Sequence, residues 1–133
     1  MILPNLERLR IGGNKMKEIS IDGNILSIEQ TKIAVKYPIK KVERIGEKYI
    51  ILLKIPRVEL GVEELNNILC YDETGKMCWR INNELPSNII SKEQVPYVAV
   101  QIVDGKLYAT DFWGRKFNVN VENGELIDVK IVH

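Results

Sequence analysis

The chain has 133 residues, of which 45% are apolar and 28% charged, and its formal net charge is +1 from 19 basic and 18 acidic residues. This composition excludes an intrinsically disordered chain, and the balanced charge argues against a nucleic-acid-binding protein, which usually has a basic excess. No apolar stretch is as long as a membrane span and the N-terminus has no signal-peptide core, so we expect one cytoplasmic domain, residues 1–133.

Alternation of apolar and polar residues predicts short strands in the first half of the chain. An Asp-Gly pair at 22–23 lies between two alternating segments and predicts a hairpin. A strand follows at about 32–37 and is interrupted by Pro38, and a second hairpin turns at 46–47. Each strand is therefore expected to pair with the next one along the chain.

Glycines at 105, 114 and 124 divide the second half into further short alternating segments. Only residues 62–67 and 88–94 could form a turn or two of helix, because no segment keeps a helical period. The sequence therefore predicts a mainly β fold, an antiparallel meander of roughly ten to twelve short strands.

Residues 49–81 resemble residues 97–131. YIILLKI aligns with YVAVQIV 48 residues later, and LCYDETGKMCWRI aligns with NVNVENGELIDVKI on Gly75 and Gly124. Each copy is a strand, an insertion and a hairpin, a size that fits one four-stranded blade. The fold is therefore expected to hold a duplicated blade-like unit, and a partial propeller, a sandwich and an open barrel remain as arrangements.

Turn geometry predicts the register of the two aligned hairpins. A left-handed Gly75 closing a three-residue turn places Cys70 opposite Cys78. With Gly124 in the same role, Val119 would face Ile127 and Phe117 would face Val129. This register places the apolar side chains of both hairpins on one face.

The cysteines do not form a recognisable metal or redox motif. Cys70, Cys78 and His133 supply fewer than the four ligands that zinc needs, so we expect no metal. Seven residues separate the cysteines, unlike the Cys-x-x-Cys redox motif. Free, buried thiols that label only after denaturation are the simpler interpretation, and a Cys70–Cys78 pair is the alternative.

YDETGKMCW, residues 71–79, resembles the repeat signature of PQQ-type propellers, in which an Asp, a Thr-Gly turn and a Trp recur at this spacing. GKLYATDFWGRKFNVNVENGELI is similar to the strand-turn-strand segment of the same blades, and the resemblance covers about residues 66–131. It implies blade-like sheets in which Trp79 packs between blades. It implies no quinone or metal site, because those ligands lie outside the motif.

Catalytic motifs are missing from the body of the chain. His133 is the single histidine, and the Gly-Gly pair at 12–13 lacks the setting of a phosphate loop, so we expect neither an enzyme nor a cofactor. A carboxylate-based enzyme or small-molecule-binding domain is the first alternative. Nucleic-acid binding is the second, through a basic cluster consisting of Lys36, Lys40, Lys41, Arg44 and Lys48.

Two features could bind a partner. Residues 58–75 contain acidic side chains and no Lys or Arg, which indicates either an acidic docking surface or an ordinary polar loop. The acidic residues are Glu59, Glu63, Glu64, Asp72 and Glu73. The second feature is YATDFWGR, where Trp113 lies in a tight turn beside Phe112, Tyr108 and Arg115. An exposed Trp113 would anchor an interface, and the alternative is a Trp folded over the sheet edge.

These observations favour a non-catalytic protein-binding module. In size and character the chain resembles bacterial toxin-immunity proteins, although it carries no motif diagnostic of them. That resemblance implies neutralisation of a cognate toxin by occlusion of its active site. The partner would then be a toxin domain with a basic surface, captured by charge complementarity.

Overall fold

A computed structural model describes residues 17–56, 60–81 and 93–131. In these ranges the chain forms eleven strands and one short helix. In chain order they are β1 (Ile19–Asp22), β2 (Ile25–Ile28), β3 (Thr31–Ala34), β4 (Ile39–Ile45), β5 (Lys48–Leu53), α1 (Val62–Leu65), β6 (Ile68–Asp72), β7 (Met77–Arg80), β8 (Tyr97–Val103), β9 (Lys106–Asp111), β10 (Arg115–Val119) and β11 (Leu126–Ile131). The predicted mainly β, antiparallel fold is confirmed.

The helix predicted within 62–67 is α1, whereas most of the helix predicted at 88–94 lies outside the described residues. Within those described, no helix has the length and apolar character needed to cross a membrane.

The strands form three antiparallel sheets, each a meander of consecutive strands. The first sheet has the order β1-β2-β3, the middle sheet β4-β5-β6-β7 and the third sheet β11-β10-β9-β8. Across the part of the chain that the structure describes, none of the sheets closes into a barrel. Short connections account for most of this order, because a tight turn can join only neighbouring antiparallel strands, whereas β5 and β6 are joined by the longer segment that contains α1.

The three sheets stack, and the middle sheet is covered on both faces. Tyr49, Ile51 and Leu53 of β5 pack toward the first sheet, in a cluster with Leu26 and Ile28. The alternate residues of β5 pack with a second cluster that includes side chains of the third sheet. A strand covered on both faces needs no polar alternation, which explains the uninterrupted apolar run at 49–53.

A buried amide joins the middle sheet to the third. The Nδ2 of Asn67 donates hydrogen bonds to the carbonyl oxygens of Leu53 and Tyr97, both over 2.9 Å. Its Oδ1 accepts a hydrogen bond from the N–H of Tyr97 over 2.8 Å. Asn67 is almost fully buried, and these bonds satisfy its amide while fixing the start of β8 against the end of β5.

The hairpin between β6 and β7 has the predicted turn but a different register. Gly75 is left-handed, with φ of +90°, as predicted. The prediction that Cys70 faces Cys78 is wrong, since Cys70 pairs with Trp79. A bulge leaves Cys78 as an extra residue, and it places Trp79 on the buried face beside Cys70.

The hairpin between β10 and β11 also contains a bulge that the sequence did not reveal. Phe117 pairs with Val129 as predicted, but Val119 pairs with Leu126 instead of Ile127. Gly124 is left-handed, with φ of +78°. An added Cβ at Gly124 would lie 2.5 Å from Cε3 of Trp79, so this glycine allows the ring to pack there.

The two four-stranded sheets share one meander order, but by position their strands correspond differently from the sequence alignment. That alignment paired residues 49–55 with residues 97–103. The structure places the first segment in β5, an inner strand, and the second in β8, an edge strand. By position in the sheet, β4 corresponds to β8 and β5 to β9. The segment containing α1 separates β5 from β6, whereas only a short turn separates β9 from β10, the corresponding strands of the third sheet.

Candidate functional site

Two turns in the molecule share one construction, an aspartate followed three residues later by glycine and then by a basic residue. They span 72–76, between β6 and β7, and 111–115, between β9 and β10. In each, the aspartate Oδ1 accepts hydrogen bonds from the backbone N–H groups two and four residues later, over 2.9–3.1 Å. Gly75 and Gly114 have φ of +90° and +89°, and each donates its N–H to the aspartate carbonyl.

The two turns differ in what they present to solvent. The first carries Glu73 and Thr74, and the second carries Phe112 and Trp113 at the same positions. Phe112 is 68% exposed and Trp113 is 56% exposed, with their rings edge to face at a centroid distance of 5.9 Å. Because the same turn forms around Glu and Thr, its geometry does not require an aromatic pair. Trp113 is therefore not folded away over the sheet edge.

The second turn, residues 111–115, is called the aromatic turn, and a buried ion pair holds it in place. The carboxylate of Asp111 is 2% exposed, and its Oδ2 accepts a hydrogen bond from Nε of Arg115 over 2.8 Å. Arg115 also donates to the carbonyl of Glu93 over 2.6 Å, and the N–H of Phe112 donates to the carbonyl of Pro96 over 2.9 Å. These contacts fasten the turn to the segment that precedes β8, so its two rings project from a rigid base.

A groove of about 920 Å³ begins at this turn and runs between the middle and third sheets. We call it the aromatic groove, and its lining residues are Lys40, Leu53, Lys54, Ile55, Pro56, Leu60, Val95, Pro96, Tyr97, Val98, Phe112 and Trp113. The lining side chains are mostly apolar, and the charged ones are both lysines. The structure thus combines two exposed aromatic rings with a large apolar concavity.

Lysines occupy the edge of β8 next to the groove. Lys40 Nζ donates to the carbonyl of Val98 over 2.9 Å, and Lys41 Nζ donates to the carbonyl of Val100 over 3.1 Å. These bonds cover an otherwise open sheet edge. They also engage Lys40 and Lys41 of the basic cluster considered for nucleic-acid binding, and the ring of Tyr49, which follows Lys48 of that cluster in the chain, is fully buried. The cluster therefore does not form an open basic surface with that ring.

The predicted acidic docking surface is largely engaged within the protein. Glu63 pairs with Lys36 over 2.9 Å, while Glu64 is buried and accepts hydrogen bonds from Tyr37 over 2.6 Å and Lys36 over 3.3 Å. Glu64 also accepts the N–H of Gly61 over 2.9 Å, which caps the start of α1. The Tyr37 hydroxyl, followed by the Gly61 N–H, lowers the pKa of Glu64 to about 2.

The other predicted site residues lie in separate places. Asp72 organises the first turn, and Oε1 of Glu73 lies 3.9 Å from Nζ of Lys17. Tyr108 does not line the groove; its ring stacks with Lys116, whose Nζ is 5.0 Å from the ring centroid. Glu59 lies outside the described residues.

Of the predicted residues, the structure brings together Phe112 and Trp113, with Arg115 supporting their turn. Lys40 was considered only as a member of the basic cluster, and Asp111, Lys54 and the remaining lining residues were not predicted. The repeated Asp-x-x-Gly-basic pattern at 72–76 and 111–115 is the one sequence signal that could have identified Asp111.

The cysteines occupy different environments and both are free. Burial, and after it the neighbouring Cys78 thiol, raises the pKa of Cys70 to about 12. Cys78 is exposed, so the expectation that both thiols are buried is wrong for this residue. The bulge that inserts Trp79 into the core leaves Cys78 at the surface. Across the described ranges, no group of three or more His, Cys, Asp or Glu side chains is arranged to hold a metal ion.

Residues 16–131 match the family model described as a domain of unknown function, DUF7957. The chain belongs to this family. The match includes all three sheets, so the stack and the aromatic groove lie within the DUF7957 domain. No match to the chain was found among curated proteins or among solved structures.

Proposed function

We propose that this DUF7957 domain is a non-catalytic protein-binding module and that the aromatic groove is its binding surface. The observation that carries the proposal is the contrast between the two matched turns. One turn carries Glu73 and Thr74, and the other exposes Phe112 and Trp113, which line the groove. The aromatic pair adds nothing that the turn needs in order to form, so binding accounts for its presence.

The physical properties of this surface suit recognition. Trp and other aromatic side chains supply much of the binding energy at interfaces, particularly when packed apolar surroundings exclude water. Phe112 and Trp113 project from a turn fixed by Asp111 and Arg115. A fixed turn loses little conformational entropy when it binds, which favours affinity.

The alternatives receive less support at this groove. Its described lining contains no carboxylate, histidine or cysteine that could act as a general base. Burial raises the pKa of the Tyr97 hydroxyl above its ordinary range, so this lining group stays protonated near neutral pH. These features favour binding over carboxylate-based catalysis.

The narrower hypotheses remain predictions. Occlusion of a toxin's active site is compatible with a groove that has aromatic side chains in its lining. A basic toxin surface is less well supported, because Glu63 and Glu64 already pair with Lys36. A cytoplasmic location also remains a prediction.

The test transplants one turn onto the other. Phe112→Glu with Trp113→Thr copies the first turn into the second, and Glu73→Ala with Thr74→Ala is the matched control. The wild-type domain and both double variants would be used to capture proteins from lysate of the cells that naturally contain the domain. Captured proteins would be identified and quantified by mass spectrometry, and near-ultraviolet circular dichroism would check that each variant is folded.

We expect one protein to be retained stoichiometrically by the wild type and by the control. The transplanted variant should remain folded but retain it at least about thirtyfold less, corresponding to about 2 kcal/mol lost at an aromatic anchor. Equal retention by all three proteins would show that the aromatic groove is not the binding surface. Retention of no protein by the folded wild type would count against the binding function itself.

A further inference from the structure

We infer that the aromatic groove binds an extended segment of a partner protein in which acidic residues lie beside apolar ones, an inference that rests on the proposed function. The acidic residues within 58–75 predicted a basic partner, whereas this inference gives the partner segment acidic residues.

The groove carries positive charge that the described structure leaves uncompensated. Lys40 and Lys54 line it, and neither forms an ion pair with a described residue. The hydrogen bond from Lys40 goes to a neutral carbonyl, that of Val98. By contrast, Lys36 and Lys48 lie within 3.3 Å of carboxylate oxygens. An occupant with carboxylates would complement the two lysines of the groove.

The groove also offers contacts for apolar side chains. Pro56, Leu60 and Pro96 contribute aliphatic surface, and Phe112 and Trp113 contribute ring faces and edges. A volume of about 920 Å³ lies near the upper end of the range for small-molecule pockets, about 300–1,000 Å³, and can accommodate several side chains of a segment. The occupant is thus expected to place apolar residues next to its acidic ones.

The partner segment cannot simply extend the third sheet at this position. Lys40 and Lys41 already donate to the carbonyls of Val98 and Val100 on β8. Pro96 has no N–H to offer, and its carbonyl accepts the N–H of Phe112. Because these edge groups are occupied, recognition must depend on side chains instead of strand addition.

The experiment selects a phage-displayed library of random 12-residue peptides on the folded wild-type domain. Phe112→Glu with Trp113→Thr serves as the counter-selection target, so that only peptides dependent on the aromatic pair are retained. Enriched peptides would be sequenced, synthesised and titrated by fluorescence anisotropy. They would also be titrated against Lys40→Gln with Lys54→Gln, and against Lys32→Gln with Lys106→Gln as a control that removes the same amount of charge elsewhere.

We expect enriched peptides to combine Asp or Glu with aromatic or aliphatic residues. Their affinity should fall about tenfold in the Lys40/Lys54 variant, fall as salt rises, and stay within about twofold in the control. Aromatic-dependent peptides without acidic enrichment, or with equal affinity for both lysine variants, would overturn this inference and leave the proposed function in place. Failure to enrich any peptide that depends on Phe112 and Trp113 would count against both.

Discussion

The aromatic turn should depend on one buried carboxylate. Replacing Asp111 with Ala removes the acceptor for the N–H groups of Trp113 and Arg115, and it removes the charged partner of the Arg115 guanidinium. Since Asp111 is 2% exposed, water cannot fully replace the carboxylate without opening the structure. The substitution should therefore destabilise the domain and loosen the rings that the turn presents.

The size of the effect follows from these contacts. Two hydrogen bonds from neutral backbone groups contribute about 1 kcal/mol each, and a charge-assisted bond contributes about 1.5–3 kcal/mol. The loss should be about 4 kcal/mol, which agrees with about 3–5 kcal/mol for breaking a buried ion pair from one side. With an unfolding entropy of about 2.1 cal/mol/K per residue over 133 residues, the unfolding midpoint should fall by about 14 °C.

Differential scanning calorimetry and urea titration would measure this loss, and Asp72 supplies the matched control. Asp72 accepts the same two kinds of backbone bond, but its turn is exposed and no arginine among the described residues pairs with it. Asp72→Ala should therefore lower the midpoint much less. Equal losses in the two variants would refute the reasoning, because burial and the Arg115 pair would then contribute nothing measurable.

Three further outcomes follow from the structure. Asn67→Ala should cost about 3 kcal/mol in urea titration, because three buried hydrogen bonds between the middle and third sheets disappear. One equivalent of maleimide should label the native protein at Cys78, while Cys70 should label only after denaturation. Because the pKa of Glu64 is lowered from 4.5 to about 2, its stabilisation is complete above pH 4.5 and is lost as pH falls to 2. Glu64→Gln should flatten the measured stability curve in that window.

For each of these three predictions, one result would contradict it. The side chain of Asn24 donates one part-buried hydrogen bond within the described residues, so an Asn24→Ala variant as destabilised as Asn67→Ala would show that the inter-sheet amide is unimportant. Labelling of two thiols in the native protein, checked with Cys78→Ser, would contradict the burial of Cys70. An unchanged slope of stability between pH 2 and 4.5 in Glu64→Gln would show that this carboxylate does not govern the acid response.

Local pattern was enough to determine the strands and their sequential pairing. Alternating apolar residues indicate strands, and glycine turns such as those at 23, 46 and 105 can connect only adjacent antiparallel strands. The left-handed Gly75 and Gly124 were predicted for the same reason. These features depend on residues close together in the sequence, so one sequence contains the information needed to predict them.

The exact register depended on packing between sheets. The bulges that place Cys70 opposite Trp79, and Val119 opposite Leu126, reflect how side chains fit a neighbouring sheet. The residues of a hairpin alone do not distinguish between these registers. The pairing of the acidic residues within 58–75 also depended on tertiary contacts, since Lys36, distant in sequence, pairs with two of their carboxylates.

The candidate site itself was predicted only in part. Trp113 in a tight turn indicated either an exposed anchor or a ring folded over the sheet edge, and its 56% exposure in the structure decides for the first. The groove beside it joins Lys40, Lys54, Leu60 and Pro96, which come from separate parts of the chain. The sequence by itself determined the strands and the turns, and it placed Trp113 in a tight turn without deciding its exposure. Stacking of the sheets decided the groove, its charge and the burial of Asp111, because those depend on contacts between residues far apart in the chain.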